Sequence, residues 1–324
     1  MHPVILETVE YQKGTMREVA DIVTSGAEED EQVKKLLADG FKQYSVAEEG
    51  SCRLAEKAIA KALANSTVPV EEIDTVLFGS ESFWDVDQTY SKQTFPLEHQ
   101  LFRANIYNAL ELNGLGNANL MGYWANGCAN IGLALQTASA LIQTERSKSV
   151  LVVYIDRHPA HETRIIHKGI TVASDICLAL ILAGNVGKGP ELSLVVPYSD
   201  LSLMRVRERD SLEKYLVNYA RSTKKAVDHF LEESKRSLAD FSELLTPNFT
   251  MDYMRLQYSS VRSCVDMLNM DSKAEIAHAT SADPFVTLRN MRVPHGGNGD
   301  VERLVMLMGP FMWAFVLLTY KGDE

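Results

Sequence analysis

Apolar positions fall into short runs, separated by longer segments with helical spacing. Val4–Val9 predicts a strand, Thr75–Gly79 (TVLFG) a short buried one, and Ser149–Asp156 (SVLVVYID) a third. Asn119–Trp124, Ile170–Leu182 and Leu192–Pro197 predict further strands. Helical spacing covers Val46–Leu63, Phe95–Leu112, Cys128–Gln143, Asp210–Ser237 and Thr250–Leu268. Met16–Leu37 is polar and acidic, and reads as one or two exposed helices. Leu304–Tyr320 (LVMLMGPFMWAFVLLTY) runs uncharged but is broken by Gly309-Pro310. It predicts two buried strands joined by a turn rather than a membrane span. Alternating strands and helices predict an α/β fold with helices on the sheet faces.

Composition narrows the function classes. The chain has 324 residues, 46% hydrophobic and 23% charged, which excludes disorder and allows two modest domains or one large single unit. Its net charge of −11 argues against nucleic-acid binding, which needs a positive field. Cys52, Cys128, Cys177 and Cys264 are widely spaced, with no CxxC pair. The first residues lack a signal-peptide pattern, so a cytoplasmic location with reduced thiols is the expectation, without a membrane partner.

The most informative segment is Met121–Ile142, MGYWANGCANIGLALQTASALI. A strand runs into the turn Ala125-Asn126-Gly127, and Cys128 then opens a helix. Unsatisfied backbone N–H groups and the positive end of the helix dipole favour a thiolate there. The same N–H groups can hold a developing oxyanion. Ala129, Gly132, Ala134, Ala138 and Ala140 let the helix pack closely at a protein centre. A buried cysteine acting as a small hydrophobe is the alternative reading.

In order and spacing these segments resemble the ketoacyl-ACP synthase III branch of the thiolase-fold superfamily. Val46–Ser80 resembles the early helix and strand, Tyr123–Leu135 the segment carrying the nucleophilic cysteine, and Ser149–Asp156 the strand that follows. Ser174-Asp175 with Cys177–Leu182 is similar to a Gly-Asp-Gly-Ala segment that has lost its glycines, and Leu304–Tyr320 to the closing strands. The resemblance implies a layered αβαβα, thiolase-like fold of two similar α/β halves, 1–185 and 186–324. It implies a homodimer, with Cys128 at the base of a tunnel. An acyl carrier protein or CoA thioester would deliver an acyl group there on its phosphopantetheine arm. No separate cofactor and no metal is expected.

The departures from the family fall on its polar residues. The family histidine lies in Pro-His-Gln-Ala-Asn; here LLTPNFTM keeps Pro247 and puts Asn248 at that position, while a His-x-Pro register would put Leu245 there. The family asparagine is matched by Thr280 in His278-Ala279-Thr280-Ser281-Ala282. His295-Gly296-Gly297-Asn298 is a competing placement, close to the final strand. The glycine-rich oxyanion loop is shortened to Met308-Gly309-Pro310-Phe311-Met312-Trp313, where Gly309 retains an N–H and Pro310 has none. The tryptophan that stacks on CoA adenine in some members falls near Gln32.

A replacement base is sought among the histidines. His278 maps beside the lost asparagine; His158, His161, His167 and His295 are alternatives, each with a reading as an ordinary loop residue. His-x-x-His spacing lacks a ligand to complete a metal set. Trp84 and Trp124 are candidates to line an acyl tunnel, or core residues. Arg205, Arg207, Arg209, Lys214, Lys224 and Lys225 make a basic stretch suited to an acidic carrier protein, or a solvated helix face. Three functions stay open: acyl transfer to an alcohol, amine, thiol or carbon acceptor in polyketide- or fatty-acid-like biosynthesis; decarboxylative C–C condensation; and a non-catalytic thiolase-fold subunit of a heteromeric synthase.

Overall fold

The structure, a computed structural model, describes residues 2–80, 98–159, 162–166, 168–185, 188–209, 211–292 and 299–322. The chain begins with β1 (Val4–Lys13), β2 (Thr15–Glu18), α1 (Ala27–Ala38), β3 (Gln43–Val46), α2 (Ser51–Asn65) and β4 (Ile73–Gly79). It continues through α3 (Glu98–Leu112), β5 (Asn119–Tyr123), α4 (Asn130–Gln143), β6 (Ser149–Asp156), β7 (Ile165–Ile166), β8 (Thr171–Val172) and β9 (Ile176–Gly184). Then follow β10 (Glu191–Ser199), α5 (Ser202–Arg209), α6 (Leu212–Ser234), β11 (Leu244–Leu245), α7 (Met251–Gln257) and β12 (Leu268–Asn269). The chain closes with α8 (Lys273–Ile276), α9 (Asp283–Asn290), β13 (Val301–Met308) and β14 (Met312–Tyr320).

Ten of these strands form one sheet, in the order β12-β11-β13-β14-β10-β1-β9-β6-β4-β5. The order contains a repeat. In each group of five, counted along the chain, the spatial order is first, fifth, fourth, second, third: β1-β9-β6-β4-β5 and β10-β14-β13-β11-β12. Pairing repeats as well. The second strand is parallel to the third and fourth, and the fifth is antiparallel to the fourth and first. The two groups meet at one register pair, Ile5 with Glu191.

Fully apolar strands arise because both faces are covered. Val150, Val152 and Tyr154 of β6 join the central core with α4 and α9. Leu151, Val153 and Ile155 alternate to the opposite face, under α2 and α3. In β13, Val305 and Leu307 face the central core, whereas Leu304, Met306 and Met308 pack with residues of α6. The result is a layered αβαβα arrangement. Each buried Leu, Ile or Val adds roughly 1.5–3 kcal/mol of burial. Close approach at the centre depends on α4: a Cβ at Gly132 would lie 2.2 Å from Cβ of Ala314 on β14.

The uncharged run at the carboxyl end is two strands around Gly309-Pro310, as its sequence predicts. No helix among the described residues is long and apolar enough to cross a membrane. Two helical expectations need correction. Met16–Leu37 starts as a strand, because Thr15–Glu18 pairs with Gln43–Val46, and its α-helix begins only at Ala27. Thr250–Leu268 is α-helical only to Gln257, after which the chain turns at the buried Tyr258 and continues as a 3-10 segment.

Candidate active site

Cys128 lies where β5 turns into α4. Gly127, at φ +55°, makes the turn and starts a 3-10 segment, Gly127–Ala129, that leads into the helix. The turn is pinned from inside: Ala129 N–H donates to Asn126 O (3.0 Å), and Asn126 N–H to Oδ1 of Asn130 (3.0 Å). The matching region of the second strand group is the segment before α9. Ser281 there donates its hydroxyl to the Cys128 carbonyl at 2.7 Å. The topological repeat thus brings Cys128 and the 278–283 segment together across the molecule's centre.

A cavity of about 370 Å³ opens over this junction. Its lining includes Cys128, His278 and Thr280, with Phe249, Tyr215, Tyr219 and Tyr253 as aromatic walls and the exposed Arg207 and Lys168 at the rim. Cys128 is half-buried. The lining is mostly apolar, so a charge formed inside would act through weakly screened, short-range contacts.

His278 is held on several sides. Its backbone bridges the 172–174 segment: His278 N–H donates to Val172 O and His278 O accepts from Ser174 N–H, each at 2.9 Å. Its ring packs on Phe249, with centroids 4.7 Å apart. Nδ1 lies 2.5 Å from Oδ2 of Asp283, a fully buried carboxylate at the start of α9. Asp283 also accepts from Ala279 N–H (2.6 Å) and Asn248 N–H (2.8 Å). A carboxylate accepts, so Nδ1 carries the proton and Nε2 is the ring nitrogen left for the cavity. Composition and spacing give no signal for Asp283. The clue in the sequence is an acidic residue at a helix start, five positions after a candidate histidine.

Thr280 also faces the cavity, and its hydroxyl donates to Asp156 Oδ2 at 3.0 Å. Asp156 further accepts from Ser80 (3.1 Å) and from the Tyr154 hydroxyl. Thr280 has φ +53°, a left-handed conformation that β-branched residues rarely adopt. Asparagine, the residue expected there from the resemblance, tolerates that region.

Three expected site residues take other roles. Asn248 is fully buried and outside the cavity lining: its amide donates to Ser272 Oγ (3.0 Å) and Ala277 O (2.6 Å). These bonds frame the 277–283 segment. Gly309 does line the cavity, but its N–H donates to Met312 O at 2.7 Å and is not available to an oxyanion. Its role is steric, because a Cβ there would lie 2.6 Å from Asn126 O. Tyr219 and Tyr215 hold that turn by donating to the Gly309 (2.8 Å) and Pro310 (2.9 Å) carbonyls. Trp124 is 59% exposed and outside the lining, because it follows β5 at the sheet edge.

His158 is also outside the lining; its Nε2 lies 2.9 Å from Thr163 O. Burial, followed by the nearby Arg164, lowers its pKa. Arg164 is paired with both oxygens of the buried Asp175 (2.7 and 3.0 Å), which fixes the loop after β6. Trp84, His161, His167, His295 and Asn298 lie outside the described residues. Among the described residues, no three His, Cys, Asp or Glu gather to hold a metal.

Among solved structures, the chain is similar to ChlB3, described as an acyltransferase, with TM-score 0.77 and 15% identity over 99% of this chain and 98% of that one. It is similar to 3-oxoacyl-(acyl carrier protein) synthase III from Pseudomonas aeruginosa, with TM-score 0.72 and 15% identity over 99% of each. Cerulenin-bound OleA from Xanthomonas campestris gives TM-score 0.69 and 11% identity over 98% and 99%. No protein-family model and no curated protein sequence matches the chain. At these identities the likeness establishes the fold, which is that of the ketoacyl-ACP synthase III enzymes.

Proposed function

We propose that this chain, built on the ketoacyl-ACP synthase III fold, is an acyltransferase that carries the acyl group on Cys128. The observation that carries the reading is one cavity lined by both Cys128 and a histidine fixed by a buried carboxylate. His278 Nε2 takes the thiol proton, and the Cys128 sulfur attacks the carbonyl carbon of an acyl carrier protein or CoA thioester. The tetrahedral intermediate collapses, the carrier thiolate leaves, and His278 returns the proton to it. The acceptor then enters, His278 takes its proton, and attack on the Cys128 thioester regenerates the thiol. Asp283 keeps the imidazole in the required tautomer and faces the imidazolium that forms, the logic of a nucleophile–histidine–carboxylate triad.

Acyl transfer is favoured over decarboxylative condensation because the Asn248 amide is engaged in the protein frame and Thr280 donates to Asp156. The half-buried Cys128 in an open cavity counts against a non-catalytic subunit. Arg205 and Arg207 with the exposed Leu201 and Met204, beside the cavity rim, support docking of an acidic carrier protein. The exposed edge of β5, with Met121 and Trp124, supports a homodimer. The division into halves 1–185 and 186–324 belongs to the same proposal, and the repeated strand order supports it.

The test is incubation with acyl- and malonyl-thioesters of CoA and acyl carrier protein. The expected result is acyl loading on Cys128 without carbon dioxide release from the malonyl donors. Cys128-dependent carbon dioxide release would assign condensation instead.

A further inference from the structure

Attack on a thioester turns its carbonyl oxygen into an oxyanion, which needs donors placed in advance. The Gly309 N–H is taken by Met312 O, so beside the backbone N–H groups of the cysteine turn a further donor is sought among the cavity's side chains. The lining hydroxyls are those of Tyr215, Tyr219, Thr280 and Tyr253. Tyr215 donates to Pro310 O, Tyr219 to Gly309 O and Thr280 to Asp156. The Tyr253 hydroxyl has no hydrogen-bond partner among the described residues. A tyrosine hydroxyl in an apolar site ordinarily finds a partner. Its ring is set edge-on to Phe249, with centroids 5.1 Å apart, and Phe249 packs on His278. One aromatic contact chain therefore positions both side chains over the cavity that Cys128 lines.

We infer that Tyr253 is a catalytic residue whose hydroxyl donates to the oxyanion formed when Cys128 attacks an acyl thioester. This deepens the acyltransferase reading and rests on it. The carbon–sulfur bond forms from the Cys128 sulfur, and the carbonyl electron pair moves onto oxygen, where the Tyr253 O–H meets it. The pair returns as the carrier thiolate leaves, and Tyr253 keeps its proton throughout. Burial first, then the neighbouring Tyr215 and Cys128 side chains, pushes the phenol pKa well above its ordinary value. It therefore remains a neutral donor across the physiological range. The same contact serves the second half-reaction, because the acceptor's attack regenerates an oxyanion on the same oxygen.

The test compares two reactions of one thiol in wild type and Tyr253→Phe. Acylation by an acyl thioester passes through an oxyanion; alkylation by iodoacetamide is a direct displacement and does not. The expected result is acylation slowed about 10²–10³-fold with alkylation unchanged. Unchanged acylation would overturn the inference. An equal fall in both would do so too, because it would place the effect on the thiol or the fold. If wild type is alkylated at Cys128 but accepts an acyl group from no donor, the acyltransferase reading itself fails, and this inference falls with it.

Discussion

His278 Nδ1 and Asp283 Oδ2 are 2.5 Å apart in a pair almost wholly shielded from solvent, and no element of secondary structure separates them except the turn into α9. In the proposed mechanism this contact leaves Nε2 of His278 as the proton acceptor. General-base catalysis contributes about 10²–10⁴-fold, and His278→Ala is expected to slow both loading and transfer of the acyl group by that range. Asp283→Asn turns an amide donor toward backbone N–H groups and leaves buried donors unmatched. It is expected to lower stability by about 1–3 kcal/mol as well as activity. Rapid-quench mass spectrometry and denaturant unfolding check the two effects. Full activity in His278→Ala would remove His278 from the mechanism.

Thr280 tests the strain at the segment before α9. Its β-branched side chain is held at φ +53°, while its hydroxyl donates to Asp156. Thr280→Val keeps the strain and removes the donor, and is expected to cost about 1–3 kcal/mol. Thr280→Asn relieves the strain and keeps a donor, so it is expected to be the more stable of the two. Thermal unfolding gives the order, and a reversed order would show that the left-handed backbone is not a significant cost.

Gly309 tests the packing of the cysteine turn. Gly309→Ala would bring a Cβ within 2.6 Å of the Asn126 backbone carbonyl, which cannot rotate away. The turn carrying Cys128 must shift, at a cost of about 1–3 kcal/mol. A lower melting temperature and an altered rate of Cys128 alkylation are expected. Wild-type values for both would mean that the turn has room to spare.

The thiols should sort by environment. Cys52, Cys177 and Cys264 are buried, and burial raises the Cys177 pKa strongly and that of Cys264 to about 12. Only thiolates react readily, so native protein is expected to take up one iodoacetamide, at Cys128. Peptide mapping before and after denaturation checks this, since unfolding exposes all four. Fast native labelling at Cys177 or Cys264 would contradict the burial.

Acid stability carries a signature of His158. Its folded pKa lies below the ordinary 6.5, because of burial and then Arg164. As pH falls through and below 6.5, the unfolded chain binds a proton that the folded chain resists, so stability falls; it recovers as pH rises. His158→Gln keeps a donor for Thr163 O and removes that component. Unfolding curves between pH 5 and 8 should therefore be less pH-dependent in the variant. Identical pH dependence would show that His158 titrates normally in the fold.

The fold was largely legible because its strands are apolar on both faces. Runs such as Ser149–Asp156 and Leu304–Tyr320 carry that signal in their own composition. Pairing-dependent elements were not: Thr15–Glu18 is polar, and becomes a strand only because Gln43–Val46 lies beside it. The site divides in the same way. The turn and helix start at Cys128 were legible from its small-residue run, and the place of His278 beside Thr280 from the segment matched to the family. Where the Asn248 amide and the Gly309 N–H point was not legible, because position in a motif does not report it. Asp283 and Tyr253 were not singled out because their roles come from side-chain contacts, with His278 and Phe249, that composition and motif matching do not report.

The central claim is a covalent acyl-enzyme on Cys128, and intact-protein mass spectrometry tests it most directly. Wild type, Cys128→Ala and Tyr253→Phe would be incubated with a panel of acyl-CoA and acyl carrier protein thioesters. The account predicts a mass increase equal to the acyl group in wild type, none in Cys128→Ala and slow accumulation in Tyr253→Phe. An acyl adduct that persists in Cys128→Ala, or no adduct from any donor in wild type, would contradict it.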